Sequence, residues 1–209
     1  MNERMINMFS AKGESFVKGQ IDATKKILRG RCREIRENLS EDYIEESSRA
    51  ILAQVLASEE YRSAEVILAY SSMQGEVLTG SLIEQALADG KTVCLPRCLP
   101  DHQMDAKRYT AGCAMERNAY GIEEPAADAE TIPPERISLI IVPCVACDAR
   151  GNRLGHGAGY YDRYLARTSG TDCFRMALCF DKLILGSIRT YRDDVPMHAV
   201  VTETKIYRP

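Results

Sequence analysis

Apolar positions along the chain change period several times, and the changes mark its elements. Between residues 21 and 38, Ile21, Lys25, Leu28, Cys32 and Ile35 recur at three- and four-residue spacing, which predicts an amphipathic helix. Lys25, Lys26, Arg29, Arg31, Arg33 and Arg36 cover its remaining faces. Residues 1–20 carry glycine, serine and lysine with no sustained period and read as a loose lead-in with some helical character. Ser40 opens a second helix whose stripe is Ile44, Ser48, Ile51, Leu52, Val55 and Leu56. Tyr43 stands where a capping box needs Glu or Gln, so only half the box is present.

Beyond residue 63 the pattern turns to short β-branched runs. AEVILAYSSM, KTVCLPRCL, ISLIIVPCVA, FRMALCF and HAVVTETKIY read as strands, MDAKRY as a short one, and GEVLTGSLIEQALADG as a turn and a helix ending at Gly90. Residues 110–136, with Pro133 and Pro134, read as a long loop. Strands alternating with helices predict an α/β fold: a three-layer αβα arrangement with a largely parallel central sheet, in a single domain over residues 21–209. Ligands in such folds bind beyond the carboxyl ends of the strands. That rule gathers residues 71–76, Pro96 with Arg97, and residues 153–162.

The length of 209 residues suffices for one sizeable core. A net charge of −3 argues against a nucleic-acid surface, although KKILRGRCREIR is locally basic. No apolar run reaches membrane-spanning length, and MNERMINMFSAKGE lacks a signal peptide's apolar centre. A cytoplasmic protein without nucleic-acid or membrane partners is expected. Of eight cysteines, Cys144 with Cys147 has C-x-x-C spacing and Cys94 with Cys98 has C-x-x-x-C. Both Cys144 and Cys147 lie in the apolar run ISLIIVPCVACD, whose reading as a strand puts them on opposite faces and predicts packing rather than chelation.

Residues 151–165, GNRLGHGAGYYDRYL, concentrate the chemistry. Gly155, Gly157 and Gly159 alternate, an apolar strand precedes them, and a short helix follows. Glycine permits positive φ and close backbone approach, and main-chain N–H groups at a helix start face anions. Arg153 adds a cation with forked geometry, and Asp162 a hard oxygen of the kind Mg²⁺ takes beside a nucleotide. The spacing is neither a P-loop nor a dinucleotide fingerprint, and a purely steric strand-to-helix turn would use the same glycines.

The longer stretch VPCVACDARGNRLGHGAGYYDRYL resembles the signature of the 5-formyltetrahydrofolate cyclo-ligase (5,10-methenyltetrahydrofolate synthetase) family, VPGLAFDxxGxRLGxGxGYYDxxL. Cys144 replaces a usual glycine, Cys147 a usual phenylalanine, His156 an arginine or tyrosine, and Ala158 a lysine or glycine. KKILRG resembles the family's K-x-x-L-R element, and AYSSMQGEVLT its strand and turn ending in Q-x-E. YRDDVPMHAVVTE resembles the family's H-D-x-x-x-D-x-V-x-T-E region, in which Asp194 matches the first aspartate and His198 replaces the second.

The resemblance implies an ATP-dependent ligase that closes a C–N bond, converting 5-formyltetrahydrofolate to 5,10-methenyltetrahydrofolate with release of ADP and phosphate. It implies nucleotide contacts at Lys25, Lys26, Arg29, Arg153, Leu154, Gly155, His156, Gly157, Ala158, Gly159, Tyr160 and Tyr161. Folate contacts fall on Met73, Glu76, His156, Gly157, Gly159 and Tyr160. Mg²⁺ falls on Asp162 and Asp194, and the catalytic set is Arg153, Tyr160 and Asp162. Arg97 and Glu124 lie in further matching segments. A monomer or weak homodimer is expected. The departures at Cys144, Cys147, His156 and His198 motivate an alternative, a folate- or nucleotide-binding regulator of the same fold without turnover. A cysteine-based redox or zinc protein and an RNA binder are more distant readings.

Overall fold

The computed structural model describes residues 3–209. The chain runs α1 (Glu3–Glu37), α2 (Glu41–Ala57), α3 (Glu59–Ser63), β1 (Val66–Leu68), α4 (Gly80–Ala88), β2 (Thr92–Cys98) and β3 (Met104–Tyr109). There follow β4 (Met115–Arg117), β5 (Glu123–Pro125), β6 (Thr131–Ile132), β7 (Leu139–Val142), β8 (Ala146–Asp148), β9 (Arg153–Leu154) and α5 (Tyr160–Arg167). β10 (Phe174–Leu178), β11 (Ile184–Leu185), β12 (Ala199–Val201) and β13 (Ile206–Tyr207) complete it.

The main sheet has the order β13-β12-β10-β7-β1-β2-β3-β6. Its five central strands pair in parallel, and β3, β6 and β13 join antiparallel at the edges. Helices flank the sheet in the expected αβα arrangement. β7 lies near the middle, and all four of its side chains are buried, the continuous apolar run of a strand covered on both faces. No described helix is long and apolar enough to cross a membrane.

The half capping box works as read: Ser40 Oγ accepts from the Tyr43 N–H at 3.2 Å. Ser58 then ends α2 and caps α3, accepting from the Tyr61 N–H at 3.2 Å.

Four elements differ from the sequence expectation. α1 begins at Glu3, so helix covers most of the stretch read as a lead-in. ISLIIVPCVA is not one strand. Pro143 has no N–H to donate to a ladder, so β7 stops before it and the chain enters a second sheet of order β11-β8-β9. Residues 110–136 are not one loop: β4 and β5 form a hairpin, and β6 extends the main sheet. HAVVTETKIY folds back on itself as β12 and β13, turned by Thr202, whose Oγ1 accepts from the Lys205 N–H at 3.2 Å.

Candidate functional site

The glycine-rich turn leaves β9 and enters α5. Gly157 has φ +110° and Gly159 has φ +78°, backbone that side chains rarely adopt. Among the described residues, no main-chain N–H from Gly155 to Gly159 donates to another protein group. Three guanidinium groups press against the same turn. A Cβ on Gly155 would lie 2.7 Å from Arg153 Nη1, one on Gly157 3.4 Å from Arg29 Cζ, and one on Gly159 2.8 Å from Arg163 Nη1. Arg29 Nε donates to the Gly155 carbonyl at 2.7 Å, and Arg163 Nη1 to the Ala158 carbonyl at 2.8 Å. Main-chain donors without protein partners, in a glycine turn with cations around it, are a chemistry suited to an oxyanion.

Two of the cations near this turn, Arg153 and Lys25, are tied to carboxylates. Arg153 Nη2 donates to Asp162 Oδ1 at 2.9 Å, and Arg153 Nη1 reaches the Pro143 carbonyl at 3.4 Å. Arg153 is buried, yet its Nε has no partner. Lys25 Nζ lies 2.6 Å from both oxygens of Asp194, and Asp194 Oδ2 also accepts from the Tyr191 N–H at 2.6 Å. Arg29 sits between these pairs. Burial lowers its pKa from the usual value, while Asp22 and Asp194 oppose that shift.

A second cluster adjoins the first. Glu76 is buried; its Oε2 accepts from the Met73 N–H at 3.0 Å, and its Oε1 lies 3.0 Å from His156 Nε2. Arg36 clamps the same corner, donating from Nε to the Gly75 carbonyl at 2.9 Å and from Nη2 to the Gln74 carbonyl at 3.1 Å. Met73 borders a cavity of about 520 Å³ lined also by Gln74, Tyr109, Met115, Tyr120 and Ile122, large enough for a drug-sized ligand. Tyr120 meets the Tyr160 ring edge-on at 6.3 Å, and the neighbouring Tyr120 hydroxyl, with burial second, pushes the Tyr160 phenol up to about 12. Tyr160 therefore joins the glycine turn to the cavity wall.

Most residues named from the sequence converge here: Lys25, Arg29, Glu76, Arg153, Gly155, His156, Gly157, Ala158, Gly159, Tyr160, Asp162 and Asp194. Others stand apart. Lys26 is exposed, one position round the helix from Lys25. The Leu154 side chain is buried in the core, so only its main chain can face a ligand. Tyr161 packs beneath Arg153 with its ring 5.8 Å away and its hydroxyl buried without a partner. Arg97 is bound to the β4–β5 hairpin through Glu116 at 2.7 Å and the Pro125 carbonyl at 2.8 Å. Glu124 is buried, accepting from Asn118 and the Cys98 N–H.

His198 binds Arg175 on the sheet, away from this machinery: its Nδ1 accepts from the Arg175 N–H at 3.1 Å. Arg36, Arg163 and Tyr120 were not singled out from the sequence. For Arg36 the signal was spacing, since Lys25, Arg29, Cys32 and Arg36 share one face of α1. Ile35, placed in the apolar stripe, is instead exposed.

Comparison with known proteins places this geometry in context. A model of the 5-formyltetrahydrofolate cyclo-ligase family matches residues 21–203. A probable 5-formyltetrahydrofolate cyclo-ligase of Schizosaccharomyces pombe is 31% identical over 198 residues, covering 88% of this chain and 97% of that one. The 5-formyltetrahydrofolate cyclo-ligase of Haemophilus influenzae is 30% identical, with coverage of 85% and 96%. The solved structure of Aquifex aeolicus 5,10-methenyltetrahydrofolate synthetase superposes with a TM-score of 0.78 at 29% identity, covering 88% of this chain and 92% of that one.

Proposed function

The chain belongs to the 5-formyltetrahydrofolate cyclo-ligase family, and from that premise we propose that it closes 5-formyltetrahydrofolate to 5,10-methenyltetrahydrofolate at the expense of ATP. The observation that carries the reading is the glycine turn, with its N–H groups free of protein partners among the described residues, three guanidinium neighbours and Asp162 at its exit. An N5-formyl group is an amide, and its oxygen leaves poorly. Moving the γ-phosphoryl group onto that oxygen makes it a leaving group that N10 can displace as the ring closes. Such chemistry asks for positioning and charge neutralisation more than for a protein nucleophile.

The residues divide the work accordingly. The turn amides with Arg29, Arg153 and Arg163 bind and orient the phosphate chain. The donor set fits Mg²⁺ at Asp162: Oδ1 is held by Arg153, and Oδ2 has no protein donor among the described residues. Bound Mg²⁺ would neutralise charge on the phosphate oxygens. Asp194 enters chiefly as the group that holds Lys25; its Oδ2 accepts two bonds and its Oδ1 one, so Oδ1 is the atom left to face a metal. Glu76, fixed by the Met73 N–H, accepts the amidine-like edge of the pterin, while Tyr120 walls the cavity in which the ring lies and Tyr160 packs edge-on against Tyr120. His156 touches Glu76 and belongs to the turn, so it links the two halves.

Purified protein given 5-formyltetrahydrofolate and Mg-ATP should develop the methenyl absorbance band, and the Asp162→Asn variant should lose about 10²- to 10³-fold in kcat while keeping its far-UV circular dichroism. A flat trace from the native chain at high concentration would leave the regulator reading in place. Native turnover in Asp162→Asn would remove the metal assignment.

A further inference from the structure

The break at Pro143 has a second effect. Cys144 leaves β7 immediately after the proline, Cys147 lies in β8 of the smaller sheet, and Cys179 follows β10. An unbroken strand would hold Cys144 and Cys147 on opposite faces. Because the chain turns between them, the sulfur atoms of Cys144, Cys147 and Cys179 lie within 4.8 Å of one another. All three are buried. Cys144 Sγ lies 3.1 Å from the Leu178 carbonyl, which ties the cluster to the end of β10.

We propose that these three thiols form a binding site for a single soft, three-coordinate metal ion of the Cu(I) class. A metal about 2.3 Å from each of three sulfurs holds them about 4 Å apart, so the present spacing needs only a small contraction. Thiolate ligands select soft ions. Among the described residues no fourth His, Cys, Asp or Glu completes the group, which disfavours Zn²⁺, an ion that takes four ligands at structural sites. Each S–H that becomes S–metal releases one proton.

Two of the three cysteines, Cys144 and Cys147, are departures from the family signature, so the site belongs to this chain's own residues and not to the reaction just proposed. Cys144 follows Pro143, whose carbonyl lies 3.4 Å from Arg153 Nη1 beside the glycine turn, and it is the most exposed of the three at 7%.

The test is competition between the fully reduced protein and the chelator bicinchoninate for Cu(I) under anaerobic conditions. The native chain should retain one Cu(I) per molecule with a sulfur-only first shell by X-ray absorption. The Cys98→Ser/Cys113→Ser control should retain the same amount. The triple variant Cys144→Ala/Cys147→Ala/Cys179→Ala should lose it. If the triple variant fails to fold, each single alanine variant should still weaken retention at least tenfold with its circular dichroism intact. The proposal is overturned if bicinchoninate strips the native chain, if folded alanine variants hold Cu(I) as well as the native chain does, or if the cluster takes Zn²⁺ in preference to Cu(I). None of these readouts involves folate or ATP, so the result is independent of the enzymatic reading.

Discussion

At the scale of single residues, the candidate site is a set of charges that already have partners. Lys25 and Asp194 illustrate what this means for stability. The Lys25 side chain is 8% exposed and that of Asp194 is 22% exposed, so Lys25→Met strands a half-buried carboxylate. We expect a loss of about 2–3 kcal/mol, at the low end of what breaking a buried pair costs because Asp194 keeps some water. Denaturant midpoints should show it, and Lys25→Met/Asp194→Asn should recover part of the loss. His198 supplies a pH test. Burial, then Arg175, lowers its pKa below the ordinary 6.5, so the unfolded chain takes up the proton first. Stability should therefore fall as pH drops below 6.5, and His198→Gln should flatten that slope between pH 7 and 5 in thermal melts. Single residues were unevenly legible. Lys25, Arg29, Asp162 and Glu76 were reached through matched motifs. Arg36 and Arg163 were not, because an arginine that clamps a carbonyl looks in sequence like one facing water.

At the scale of elements, the glycines separate two kinds of constraint. Gly151, at φ +75°, turns the β8–β9 connection where a Cβ would sit 2.5 Å from the Met197 carbonyl oxygen. Neither backbone segment can yield, so Gly151→Ala should cost more than the roughly 1–3 kcal/mol of backbone strain alone. Gly157, at φ +110°, meets only the guanidinium of Arg29 at 3.4 Å. Gly157→Ala should lower the unfolding midpoint less than Gly151→Ala and weaken Mg-ATP binding more, which calorimetry of the two variants would distinguish. Periodicity and composition found MDAKRY as β3 to the residue and placed α2 closely. They failed where an element depends on a distant partner. The β4–β5 hairpin contains Glu and Pro and reads as loop, yet it is anchored to β2 by the Cys98 N–H on Glu124 and by the Arg97–Glu116 pair. The break at Pro143 carried a visible signal, a proline inside an apolar run, but an edge strand also tolerates proline, and only the surrounding sheets decide between the two.

At the scale of the whole molecule, the alternation of strands and helices gave the class and the parallel centre, since a parallel crossover requires an intervening helix or long connection. The reach of α1 was not visible, because its early residues lack an apolar stripe long enough to announce a helix. That reach matters for how two ligands would communicate. Lys25, Arg29 and Arg36 grip Asp194, the Gly155 carbonyl and the Gly75 carbonyl from a single rod. The outer two of these anchors are eleven positions apart on α1, about 16 Å at helical rise. All three anchors sit on one unbroken helix. Occupying either compartment should therefore alter the grip on the other's tenant, and the factor must be identical in both directions. Dissociation constants for the folate with and without a non-hydrolysable nucleotide, and for that nucleotide with and without the folate, would show such mutual dependence. In Arg36→Met, with the rod unfastened at one end, it should fade.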